Sequence, residues 1–82
     1  MRYHIIADSA TVKGFSIFGV SGTVLELPCG PAIADQAQEA FENALFIENL
    51  GVLILSAPVA DLIRPQVESH IKTGHFPQIL EL

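Results

Sequence analysis

Two short runs of nearly uninterrupted apolar residues constrain this chain more than any other feature: Tyr3-His4-Ile5-Ile6-Ala7 and Gly51-Val52-Leu53-Ile54-Leu55. A strand with one wet face alternates apolar and polar side chains, whereas a strand that is apolar throughout needs cover on both faces. Helices on both sides of a sheet supply that cover, and they arise from β-α-β crossovers in a parallel sheet. The intervening segments have the required character. Asp8 or Ser9 can cap a helix with apolar positions Val12, Phe15 and Phe18, and Gly19 can end it. Ile33, Ala37, Ala40, Phe41, Ala44 and Leu45 form a helical stripe, with Asp35, Gln36, Gln38, Glu39, Glu42 and Asn43 facing away. Val59, Leu62, Ile63, Val67 and Ile71 form the next stripe; Pro65 predicts a kink inside it, and Gly74 a stop.

The pattern predicts strands near residues 2–7, 23–27, 51–55 and 77–81, and three helices near 9–18, 31–47 and 58–72. Right-handed crossovers then give one α/β domain over residues 1–82. Its expected sheet is four-stranded, parallel and ordered 2-1-3-4, with helices on both faces, as in flavodoxin-like folds. Phe15, Phe41, Leu53, Ile54, Leu62 and Ile63 are the expected core.

Charge and composition narrow the function. The 82 residues carry a net charge of −5, and the four basic residues, Arg2, Lys13, Arg64 and Lys72, are scattered. Counterion release from nucleic acid or an anionic membrane needs clustered cations, so neither is an expected partner. Cys29 is the single cysteine, which excludes an internal disulfide and fits a reducing compartment. No apolar run approaches the roughly 20 residues of a spanning helix, and no signal peptide is read at the N-terminus. Hydrophobic residues make up 50% of the chain. That is high for so small a domain and predicts apolar surface covered by a partner or by self-association.

Catalytic patterns are weak. In an open parallel sheet, ligands sit at the carboxyl ends of the strands. The residues assigned to that edge are Asp8, Ser9, Thr11, Pro28, Cys29, Ser56 and Pro77. A phosphoacceptor site needs carboxylates after the first strand, an aspartate after the third and a later lysine; the third strand ends instead at Ser56-Ala57-Pro58. Ser9-Ala10-Thr11-Val12-Lys13-Gly14 has Ala10 and Val12 where a phosphate loop has glycine or small polar residues. His4, His70 and His75 lack the i, i+4 spacing of a helical metal site, and no nucleophile elbow surrounds Ser16 or Ser21. No catalytic residue, metal or cofactor is assigned.

Asp8, Thr11, Val12, Gly14, Phe15, Ile17, Gly19 and Val20 follow an apolar strand in a pattern that resembles the start of the F subunit of the V/A-type rotary ATPases. An Ala- and Glu-rich helix leading into Gly51-Val52-Leu53-Ile54-Leu55, a helix with Ala60, Ile63 and Arg64, and the closing Pro77-Gln78-Ile79-Leu80-Glu81-Leu82 are similar as well. Ala7 departs from the family's usual glycine, Pro28-Cys29-Gly30-Pro31 replaces an often acidic segment, and family members usually continue past this point into a linker and a C-terminal helix.

The resemblance implies a non-catalytic rotor subunit, cytoplasmic and peripheral to the membrane. Such a subunit docks on the coiled-coil shaft, which is the D subunit of these ATPases, and helps couple ATP synthesis or hydrolysis to ion transport. Phe18, Val20 and Phe76, at element ends, are the expected partner contacts. The alternative is a receiver-like module that binds a small ligand or phosphate at the Asp8, Ser9 and Thr11 edge.

Overall fold

The computed structural model describes residues 2–25, 33–74 and 77–82. The two apolar runs lie side by side at its centre, as β1 (Arg2–Ala7) and β3 (Leu50–Leu55). The edge strands are β2 (Ser21–Val24) beside β1 and β4 (Gln78–Glu81) beside β3. All pairings are parallel and the order is β2-β1-β3-β4, as the pattern predicts. The crossovers are α1 (Ser9–Ser16), α2 (Ile33–Leu45), and the consecutive pair α3 (Ala57–Leu62) and α4 (Arg64–Thr73). No described helix is long and apolar enough to cross a membrane.

The central strands divide their side chains between two layers. Ile6, Leu53 and Leu55 point into a large core with Ala37, Phe41 and Ala44 of α2, Val59 and Ala60 of α3, Ile63, and Val67 of α4. Ile5, Ala7 and Ile54 point the other way and meet Val12 and Phe15 of α1, together with Val20 and Val52. The crossover rule accounts for this split. The step from β1 out to β2 puts α1 on one face, and the return from β2 across β1 to β3, followed by β4, puts the other three helices opposite.

Four helices replace the expected three. Residues 58–72 do not form one kinked helix; the chain breaks at Ile63, whose φ of −125° and ψ of 31° lie outside the helical region. Pro65 is the cause. Its ring would clash with the Asp61 carbonyl and it has no N–H to give, so it sits in the first turn of a new helix instead. The break is stapled by Arg64, which donates to both Glu81 carboxylate oxygens at 2.7 and 2.9 Å and also pairs with Asp61. These hydrogen bonds hold the Arg64 guanidinium proton more tightly and push the Glu81 carboxyl below its ordinary range. All three groups reach solvent, so salt screens the link.

Other boundaries shift for local reasons. β2 begins at Ser21, two residues earlier than expected, because Ser21 aligns with His4 and Val24 with Ala7. The expected continuation of that strand to residue 27 falls outside the described residues, as does the start of the second helix at residue 31. α2 stops at Leu45 rather than residue 47, and Asn49 turns the chain with φ 64°. Gly74 ends α4 in the left-handed conformation, as expected. Of the six expected core residues, Phe41, Leu53, Ile54 and Ile63 are buried. Phe15 and Leu62 are half-buried: Phe15 lies on the thinner, single-helix layer, and Leu62 on the last turn of a six-residue helix.

Candidate functional site

The feature that sets this molecule apart from a closed α/β sandwich is apolar surface left in water. α1 ends at Ser16, and Ile17, Phe18 and Gly19 form a turn held by Phe18 N–H to the Phe15 carbonyl and Gly19 N–H to the Ser16 carbonyl, both 3.0 Å. Gly19 has φ 79°, which a side chain would strain. Because the helix stops short, Phe18 leaves the stripe that Val12 and Phe15 begin and is 82% exposed; Ile17 is 81% exposed. Phe18 and the half-buried Val20 line one open hollow of about 520 Å³ with Arg2, Tyr3, Gly19 and Ser21. Two of the three expected contact residues therefore meet at one place. Phe76, the third, lies outside the described residues.

Sequence reasoning missed Phe46, which is 87% exposed in the connection from α2 to β3. It directly follows the apolar stripe, so a helix extended to residue 47 absorbs it. In the structure the connections from α1 to β2 and from α2 to β3 both enter their strands at the amino-terminal edge of the sheet. Phe18 and Phe46 thus lie at that edge.

The opposite edge carries Asp8, Ser9, Thr11 and Ser56. Pro77 does not belong with them: it precedes β4 and so lies at the amino-terminal edge. Pro28 and Cys29 are outside the described residues. Asp8 occupies the N-cap position of α1 without a side-chain cap hydrogen bond; its Oδ1 accepts the Thr11 hydroxyl at 2.6 Å. That bond, helped by the nearby first-turn amides, keeps the Asp8 carboxyl below its ordinary range. An ionised carboxylate thus already sits at the positive end of α1, where a phosphate would have to bind. The edge is well built for starting a helix and poorly built for a second anion.

His4 is the one buried polar residue among those described, with 7% of its surface exposed. Its Nδ1 is 2.7 Å from the Ser21 hydroxyl and its Nε2 2.8 Å from the Thr23 hydroxyl. Ser21 Oγ can also donate to the Tyr3 carbonyl at 3.3 Å. Both imidazole nitrogens thus meet hydroxyls of β2, and the arrangement ties that edge strand to β1. Burial lowers the His4 pKa below its usual 6.5. The unfolded chain then takes up this proton more readily than the folded one, so the contribution is complete above about pH 6.5 and is lost as pH falls through the folded value. Urea unfolding of the wild type and His4→Gln at pH 7.5 and at lower pH should show a steeper acid loss in the wild type; equal losses would rule His4 out as the source.

Among the described residues no three His, Cys, Asp or Glu side chains converge as metal ligands. Comparison with known proteins bears directly on what the apolar surface serves. A family model described as ATP synthase (F/14-kDa) subunit matches residues 4–82. The chain belongs to this family. The match takes in every described element except the first two residues of β1, so the α/β domain itself is the family's unit. No curated protein matches the chain at a significant level. A member of the ATP synthase F subunit family is one part of a rotary ATPase complex, and exposed aromatic residues are ordinary in a part that has neighbours.

Proposed function

We propose that the chain is a non-catalytic subunit of the central stalk of a V/A-type rotary ATPase. In this reading it docks on the coiled-coil shaft, the D subunit, on the cytoplasmic side of the membrane and turns with it. It thereby contributes to the coupling of ATP synthesis or hydrolysis to ion transport. Family membership is the observation that carries the reading, and the hollow lined by Phe18 and Val20 supports it. A part that transmits torque needs a body that does not deform. Here Ile5, Ile6, Leu53 and Leu55 of the central strands are fully buried, and close-packed interiors transmit strain.

Aromatic anchors dominate such interfaces. Replacing Phe18 with Glu should weaken binding to the recombinant shaft subunit by about 10- to 30-fold, the usual scale for a buried aromatic contact. Its thermal unfolding should stay at the wild-type value, since the side chain already lies in water. Wild-type affinity in this variant would show that the docking surface is elsewhere.

A further inference from the structure

The layer formed by α1 and β2 buries the least of any part of the described fold that reaches the central sheet. α1 has no fully buried residue, and β2 runs exposed, exposed, half-buried, exposed. β3, by contrast, is buried at every position but Val52. An element that buries little apolar surface opens at low free energy. The buried polar group that reaches from β1 to the amino-terminal half of β2 is His4, through Ser21 at 2.7 Å and Thr23 at 2.8 Å. Leu25, just past β2, is buried in the larger core and pins the other end.

Proton placement decides what this latch tolerates. A neutral imidazole has one N–H and one bare nitrogen, and each hydroxyl brings a proton of its own. All three protons can then be placed: Nδ1 donates to Ser21, Ser21 to the Tyr3 carbonyl at 3.3 Å, and Thr23 to Nε2. An imidazolium donates from both nitrogens, so Thr23 has to accept. Its own proton is then left without an acceptor among the described residues, in a half-buried site.

No described charge offsets that cost. On the face that His4 shares, β2 presents Ser21 and Thr23, and β3 presents Leu53. α2 turns Ala37, Phe41 and Ala44 to the sheet, α3 turns Val59 and Ala60, and α4 turns Val67. The α2 carboxylates Asp35, Glu39 and Glu42 are exposed, and His70 is turned to the Pro77 carbonyl. Arg2, two residues along the same face of β1, is itself a cation. Lys13 is exposed on α1, across the sheet.

We propose that His4 is the latch of an acid-released flap: a proton taken up by the imidazole frees the amino-terminal half of β2 and the Phe18 turn from β1, while β1, β3 and β4 stay paired. Val20 and Ser21 line the Phe18 hollow, so the hollow changes shape with the latch. The inference concerns the chain alone and does not depend on what docks there.

Amide hydrogen exchange of the full chain, followed by NMR between about pH 7.5 and 5.5 and corrected for intrinsic rates, tests this. The amides of β2 should be less protected than those of β3 at every pH. Their opening should rise roughly three- to tenfold toward acid, the linkage for a histidine of pKa 6.5 when released and lower when latched. The His4 ring signals should change over the same range. His4→Gln keeps a donor and an acceptor but takes up no proton, so its β2 amides should show no such rise. Equal protection of β2 and β3 at every pH would mean that β2 leaves only with the whole fold, and the inference fails. It fails equally if the ring titrates without a change at β2, or if His4→Gln shows the same rise. Should His4→Gln not fold, the two wild-type comparisons still decide.

Discussion

Truncating Phe41 to alanine should lower the unfolding free energy by about 3–5 kcal/mol. Phe41 is 3% exposed and sits in the middle of the α2 stripe, so its truncation removes a packed core side chain. Its ring also meets the edge of His70 with centroids 6.1 Å apart. His70 in turn donates from Nε2 to the Pro77 carbonyl at 2.7 Å, at the entry to β4. The truncation therefore loosens α2, α4 and the edge strand together. A domain of this length has a total stability of roughly 4–12 kcal/mol, so the loss is a large share of it. Urea unfolding should show a lower midpoint with an unchanged slope. A loss under about 1 kcal/mol would mean that α2 is not packed on the sheet as described.

The sheet order and the central strands were legible because burial leaves a direct mark on composition. Nothing but cover on both faces explains Ile5-Ile6-Ala7 and Leu53-Ile54-Leu55, and right-handed crossovers then leave few ways to connect them. Features decided by competition between neighbours were less legible. Pro65 is tolerated in a kinked helix as well as in a first turn, and the sequence does not say which. The Arg64 bridge to Glu81, 17 residues away, favours the break and is invisible to local patterns. Phe18 falls at helical spacing from Phe15, so periodicity places it inside. The helix ends two residues too early for that, at Ser16, and the same side chain becomes surface. His4 in an apolar run carries no mark of its partners, because Ser21 and Thr23 belong to another strand whose register only the fold fixes.

The Phe18 hollow depends on α1. It covers β1 and β2 and stops before Phe18. How closely it approaches the sheet depends on one residue that no motif singles out. A Cβ built on Gly22 of β2 would lie 2.5 Å from Val12 Cγ1 and 3.2 Å from Ile5 Cγ2. The backbone angle at Gly22 is not left-handed, so space rather than conformation requires glycine there. Val12 has little room to yield, since a β-branched side chain in a helix keeps essentially one rotamer.

Gly22→Ala should therefore lift α1 from the sheet at a cost of about 1–3 kcal/mol, the range for an added methyl in a packed site. The cost comes from a single pair, so shortening the partner should recover it. The double variant Gly22→Ala, Val12→Ala should be more stable than the sum of the two single losses allows, by about 0.5–2 kcal/mol of coupling. Four unfolding curves, for the wild type, each single variant and the double, measure this. Strict additivity would mean that α1 and β2 do not touch at this point. If coupling is found, the same four proteins titrated with the shaft subunit separate position from stability. Gly22→Ala should bind more weakly than its residual folded fraction predicts, because a displaced α1 shifts the Phe18 hollow. The double variant should bind more nearly as the wild type does.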